Sequence, residues 1–219
     1  LSTMNRVNEK TFHDDKLVQI FNRYATYNGS SPYLAPGIMT LIPHLEFNEG
    51  TYFPQGGMHA ITMSLVDLAG SMGIEFKYNS RVDRIRLEGL QATGLEVNGK
   101  EVPADIVVSN MDIVPTYRKL LPGLPEPRQV MEQERSSSAL IFYWGIKKTF
   151  PGLDLHNIFF SRNYKEEFDH LFRRLELYDD PTVYVHISSK YNPEDAPEGR
   201  ENWFVMINVP ANVGQDWDE

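Results

Sequence analysis

Thr51-Tyr52-Phe53-Pro54-Gln55-Gly56-Gly57-Met58, followed by a helix-length apolar segment and then Ser80-Arg81-Val82, decides how the rest of the chain is read. Two adjacent glycines ahead of a periodic apolar segment let the backbone turn sharply or approach a neighbour closely, because neither carries a Cβ. The order predicts a short strand over 51–53, a helix over 57–72 and a second strand over 74–77. That is a strand-helix-strand unit of the kind that builds parallel sheets. The helix is apolar nearly all round (Met58, Ile61, Met63, Leu65, Val66, Leu68), so burial on several sides is expected. Gly73 is placed to cap it.

Working outward, residues 82–87, 91–97 and 101–102 read as a three-stranded meander, joined by Glu88-Gly89 and by Asn98-Gly99. Asn-Gly between alternating residues is a strong hairpin signal, because both turn positions need positive φ. Ile106-Val107-Val108 reads as a strand covered on both faces. Upstream, Thr11 and Asp14 form an expected capping box for a helix carrying Leu17, Ile20, Phe21 and Tyr24, with Asn28-Gly29 as its stop. A second apolar segment over 36–49 is expected to kink at Pro43. Downstream come a short helix over 113–120, a Pro-rich boundary loop over 122–127, and a helix capped by Asn163. Long strands are expected over 139–147, 156–161, 182–188 and 203–209. The fold class is therefore mixed α+β and α/β: a layered part with an inserted three-stranded meander, then a largely antiparallel sheet flanked by helices.

The 219 residues are 41% hydrophobic and 12% aromatic, enough for a buried core. A net charge of −9 opposes nucleic acid, whose phosphates are bound by surplus Lys and Arg. Zero cysteines exclude disulfides, thiolate metal sites and cysteine nucleophiles, and they favour a reducing compartment. No apolar run reaches the ~18 residues that span a bilayer. Both ends read as cut, since neither carries an element that closes a domain.

None of the six histidines (His13, His44, His59, His156, His170, His186) lies four residues from another, so no metal site is expected. Ser136-Ser137-Ser138 lacks the glycine context of a nucleophile elbow. Glu166-Glu167, in the first turn of a helix, complements its dipole. Gly56-Gly57 admits two readings: amides facing a cofactor, or a tight turn against the preceding strand. Tyr33, Met39, Tyr52, Phe53, Met58, Phe142, Tyr143, Trp144, Phe159, Phe160, Trp203 and Met206 likewise admit an ordinary core, expected for most of them, or an apolar tunnel.

A resemblance adds to this. Ser31-Pro32-Tyr33-Leu34, Ile42-Pro43-His44-Leu45-Glu46 and the Gly50–Met58 run are similar to the middle region of bacterial-type phytoene desaturases and carotenoid isomerases, in the flavin amine oxidase superfamily. So are Asn79-Ser80-Arg81-Val82 and Val108-Ser109-Asn110-Met111-Asp112 with Tyr117-Arg118. Ser136-Ser137-Ser138-Ala139-Leu140 is similar too, though less specifically.

The resemblance implies a two-domain flavoenzyme, of which this chain is a central fragment holding an incomplete FAD-binding fold. Residues 1–72 would be substrate-domain helices and the helix entering the FAD domain. Residues 73–112 would be part of the FAD-binding domain, and 113–219 a truncated substrate-binding domain. The residue matching Val82 pairs through its backbone with the adenine of FAD, and Arg81 flanks it. Asn110 and Met111 follow where the family's chain passes near the cofactor.

No catalytic side chain is implied, because the flavin carries the redox chemistry. The implied cofactor is FAD in the parent, with none expected on this chain alone, as no Gly-x-Gly-x-x-Gly turn occurs in it. The implied partner is a long apolar polyene such as phytoene, with peripheral membrane contact, no metal and no nucleic acid. The expected location is cytoplasmic, peripheral to the membrane. Two alternatives stay open: another oxidoreductase of the superfamily acting on retinol, a porphyrinogen or an amine, or a non-catalytic lipid-binding module.

Overall fold

The computed structural model describes residues 2–217. Two compact units divide the chain. One comprises Leu1–Ser64 with Arg135–Glu219, the other Leu65–Glu134.

The first unit opens with α1 (Met4–Thr11) and α2 (Asp15–Asn22), followed by a 3-10 turn at Arg23–Asn28. Thr11 does not cap α2. Its hydroxyl donates back to the Val7 carbonyl at 2.9 Å and closes α1, which the sequence pattern had not revealed. Asp14 is the N-cap of α2, accepting from the amides of Lys16 and Leu17. Gly29 ends the 3-10 turn at φ +59°, as the Asn28-Gly29 stop predicts.

The segment predicted to kink at Pro43 is a 3-10 turn, Gly37–Thr40, running into α3 (Leu41–Glu49). Pro43 falls in the first turn of α3, where its missing N–H would have had no partner in any case. It therefore interrupts nothing. A small core of Met4, Ala25 and Ala35, with Tyr24 and Met39 against it, holds these pieces together.

Four strands complete this unit: β4 (Ser138–Ile146), β5 (His156–Phe159), β6 (Val183–His186) and β7 (Glu201–Val209). They form one antiparallel sheet in the order β4-β7-β6-β5. All four lie where the sequence placed them. Val185, Ile187 and Val205 form its second core, with Leu153, Val183 and Trp203 packed on it.

Asn163 accepts from the Glu166 amide and caps α7 (Tyr164–Asp169), which buries Phe168. Glu167 does more than complement the dipole of α7. It is 1% exposed and accepts from the Ser161 hydroxyl, the Thr182 hydroxyl and the Thr182 amide.

In the second unit β1 (Val82–Glu88), β2 (Gln91–Val97) and β3 (Lys100–Pro103) form the predicted meander. Asn98 and Gly99 sit at φ +50° and +72°, the double positive φ that selects Asn-Gly. The first turn is Gly89-Leu90 rather than Glu88-Gly89, because Glu88 still pairs with Gln91. Beyond the meander lie α5 (Ile113–Pro115), a π turn at Thr116–Leu120, and α6 (Arg128–Met131).

Helix α4 (His59–Ser71) straddles the two units in sequence. Gly56 and Gly57 precede it at φ +81° and +80°, so their conformation alone requires glycine. Beyond its two chain neighbours, no atom of another described residue comes within 4 Å of a Cβ built on Gly57. Gly73, at φ +80°, ends α4 as expected.

Three expectations here are corrected. Residues 51–53, 74–77 and 106–108 join no ladder, so the strand-helix-strand unit is not formed among the described residues. An extended segment becomes a strand only by pairing with a neighbour. None is supplied, and Ile106 and Val108 stand 81% and 88% exposed. For the same reason α4 buries no residue, although its apolar pattern predicts burial on several sides.

Candidate cofactor and substrate sites

The second unit encloses a concavity of about 790 Å³. Its position follows from local chemistry. Strand β1 supplies Val82, Asp83 and Ile85 to the wall, Arg81 directly precedes it, and Leu95 on β2 also lines it. The segment 107–111 closes one side. That segment is held by a set of hydroxyl bonds: Ser109 and Thr116 hydroxyls 3.0 Å apart, the Met111 amide donating to Ser109, and Thr116 donating to the Met111 carbonyl. Asp112 then caps α5 through the Val114 amide. Lys119 and the buried Leu120 complete the lining.

All four residues singled out from the sequence line this one concavity: Arg81, Val82, Asn110 and Met111. Val82 is half-buried at the head of β1, while Arg81 and Asn110 are exposed. The Arg81 guanidinium is held only loosely, 3.9 Å from Asp83. The lining is thus apolar on its floor (Ile85, Leu95, Leu120), with a strand-end backbone on one side and two cations, Arg81 and Lys119, available at the rim. A flat heteroaromatic ring carrying a polyanionic tail fits such a donor set. Sequence reasoning missed Lys119, Ile85 and Leu95. Lys119 directly follows the quoted Tyr117-Arg118 pair, which was the signal nearest to it.

None of the twelve aromatic and methionine side chains is fully buried, although Met39 and Trp203 pack against the two cores. Tyr143 is 81% exposed, and Phe142, Trp144 and Phe159 lie between 43% and 51%. Six of the twelve, Phe142, Tyr143, Trp144, Phe159, Trp203 and Met206, lie in strands of the antiparallel sheet. His156 and His186, each read singly from the sequence, meet across β5 and β6 with ring centroids 5.1 Å apart. Burial, and to a lesser degree the neighbouring His156, lowers the pKa of His186 below 6.5. No group of three or more His, Asp or Glu able to hold a metal occurs among the described residues.

The family model described as flavin containing amine oxidoreductase matches residues 3–199. The chain belongs to this family. Among its relatives, the 1-hydroxycarotenoid 3,4-desaturase of a Flavobacterium species is 57% identical over 99% of this chain and 44% of the relative. The phytoene desaturase of Fusarium fujikuroi is 35% identical over 91% of this chain and 36% of that protein. A 4,4'-diapolycopene oxygenase of Methylomonas is 36% identical over 90% and 40%.

The chain therefore spans less than half the length of these curated relatives. A solved oxidoreductase from Methanosarcina mazei superposes with a TM-score of 0.69 at 16% identity, over 95% of this chain and 47% of that one. It shares the fold.

Proposed function

We propose that the chain is the central part of an FAD-dependent oxidoreductase that desaturates or isomerises a long carotenoid-like polyene such as phytoene. The observation that carries this reading is 57% identity over nearly the whole chain to a carotenoid desaturase. In this reading the flavin is FAD and lies in the concavity of the second unit, residues 73–112 being its share of the FAD-binding domain. The Val82 backbone meets the adenine, Arg81 and Lys119 face the phosphates, and Asn110 and Met111 border the cofactor. When bound, the flavin takes up the hydride equivalents removed from adjacent carbons. The chain's own residues bind and orient. Apolar Ile85, Leu95 and Leu120 exclude water from the ring, and the aromatic sheet of the other unit holds the hydrocarbon.

The test is to supply the intact flavin-loaded protein with phytoene and more desaturated acyclic carotenoids and to follow absorbance. Lengthened conjugation moves absorption to longer wavelength. Unchanged spectra with every polyene, in a protein that retains its flavin, would remove the reading. The 219-residue chain by itself is expected to purify without stoichiometric flavin, and yellow preparations would contradict that.

A cytoplasmic protein with peripheral membrane contact is part of the same proposal, because polyenes reside in lipid. Ile38 and Phe47, each 73% exposed, and Leu34, Leu41 and Leu45 give the first unit an apolar surface around α3. With a net charge of −9, attachment would rest on apolar area rather than on attraction to anionic lipid. No helix among the described residues is long and apolar enough to cross a membrane. Flotation with neutral vesicles that is lost in Ile38→Glu/Phe47→Glu is the expected result, and equal flotation of both proteins would refute it.

A further inference from the structure

The wall of the concavity from Val107 to Met111 joins no ladder, and its residues make no backbone–backbone hydrogen bond among the described residues. A segment bonded only to solvent does not keep one path. Here both backbone polar groups of a single residue are held by side chains. The Met111 amide donates to Ser109 Oγ at 3.3 Å, and the Met111 carbonyl accepts from the Thr116 hydroxyl at 3.2 Å. Thr116 has one hydroxyl proton, and that carbonyl takes it. Across the 3.0 Å between the two hydroxyls, Ser109 is therefore the donor. The three bonds close a ring that runs from the Met111 amide to Ser109, from Ser109 to Thr116, and from Thr116 back to the Met111 carbonyl. Each donor in such a ring polarises the next, so its members act as a unit.

Thr116 reaches out of its own helix to do this. A helical threonine ordinarily bonds a carbonyl three or four residues back. This hydroxyl bonds one five residues back, past the Asp112 cap and outside α5. Thr116 is 8% exposed, and it does not itself line the concavity. Its carbonyl accepts from the Leu121 amide at 3.1 Å, the bond that defines the π turn Thr116–Leu120. That turn carries Lys119 and Leu120, which do line the concavity. Turns of this kind recur at functional sites. One buried residue thus joins two walls of the cavity.

We propose that Ser109 and Thr116 are positioning residues for the flavin: their hydroxyl ring clamps the Met111 backbone and so fixes Asn110 and Met111 against the cofactor. This rests on the flavin reading above and adds two residues to its site. Neither hydroxyl needs to touch the flavin. The clamp acts from behind, by holding the wall in the path that the bound cofactor requires, so that binding does not have to order it.

The experiment follows release of FAD from the intact flavin-loaded protein on dilution, read by flavin fluorescence. Thr116→Val keeps the shape and removes the hydroxyl. It and Ser109→Ala each raise the dissociation constant roughly tenfold, the scale of an opened hydrogen-bond ring. Thr116→Ser, which keeps the hydroxyl, stays near the unsubstituted value. Because the ring opens only once, the double variant Ser109→Ala/Thr116→Val is no weaker than either single one. Ser109 is exposed, so Ser109→Ala carries the test should Thr116→Val fail to fold.

A dissociation constant unmoved in Ser109→Ala or in folded Thr116→Val overturns the clamp and leaves the flavin reading standing. So does a loss that multiplies in the double variant, or one as large in Thr116→Ser as in Thr116→Val. If the unsubstituted intact protein takes up no FAD, the flavin reading itself fails and the positioning role goes with it.

Discussion

The Gly99 amide donates to Asp83 Oδ2 at 2.9 Å, and this bond ties the Asn98-Gly99 turn to the strand that begins at Val82. The Asn98 amide adds a bond to the Arg81 carbonyl at 3.1 Å. The backbone around Val82 is therefore positioned by the hairpin that follows it rather than by its own side chain. Asp83→Ala should weaken flavin binding by the intact protein more than Val82→Ala does, because a backbone contact depends on where the strand lies. Flavin dissociation constants for the two variants check this, and a larger loss in Val82→Ala would count against it.

Gly94 sits in β2 at φ +150°, and a Cβ there would meet the Val102 carbonyl oxygen and the Pro103 Cα at 2.9 Å. Both are backbone atoms of the paired strand and cannot step aside. Gly94→Ala should therefore cost about 3 kcal/mol or more and loosen the β2–β3 pairing. Faster amide exchange over Lys100–Val102 than in the unsubstituted protein would be its signature.

Glu167 is the buried knot between α7 and the start of β6. Glu167→Ala strands the Thr182 amide and two hydroxyls, so a loss on the order of 3 kcal/mol is expected, or a Tm lower by roughly 6–12 °C. Glu167→Gln keeps an acceptor oxygen and should lose less. Equal losses in a thermal melt would mean that charge, not hydrogen-bond capacity, matters at this position.

Stability should fall with acidification in two stages. His186 has a folded-state pKa below its ordinary 6.5, from burial first and then from His156, with Asp195 opposing. The unfolded chain therefore binds the proton first, and stability declines as pH drops below 6.5. Glu201 follows. Burial alone would raise its pKa, but Lys190, the Phe150 amide and the Trp203 indole outweigh that and hold it below 4.5. The stability this confers is present above 4.5 and is lost as pH falls through the folded-state value. Urea titrations from about pH 7.5 to about pH 5.5 isolate the first stage. His186→Gln should flatten it.

Much of the architecture was readable because its signals are local. Asn98-Gly99 dictates a hairpin through φ, Asn163 caps a helix through one side-chain oxygen, and Gly73 ends one. The strands over 74–77 and 106–108 were not, since a β-branched run becomes a strand only when a partner lies beside it. The Thr11 capping box failed on a similar point. The hydroxyl had a competing carbonyl at Val7, and Asp14 took the cap. His156 and His186 are thirty residues apart in sequence and adjacent only through the register of β5 and β6.

By itself, then, the sequence determined the meander, the four antiparallel strands and the helix stops, and its family resemblance singled out Arg81, Val82, Asn110 and Met111. Backbone conformational preference acts over a few residues and leaves its mark in residue type. Tertiary structure alone decided that those four line one concavity with Ile85, Leu95 and Lys119. It also decided that Phe142, Trp144 and Trp203 share the sheet face of Val205 while Tyr143 and Phe204 stand on the opposite one, and that Tyr184 and His156 meet. Such contacts depend on strand register and on which neighbours are present, and neither is encoded in any short stretch of chain.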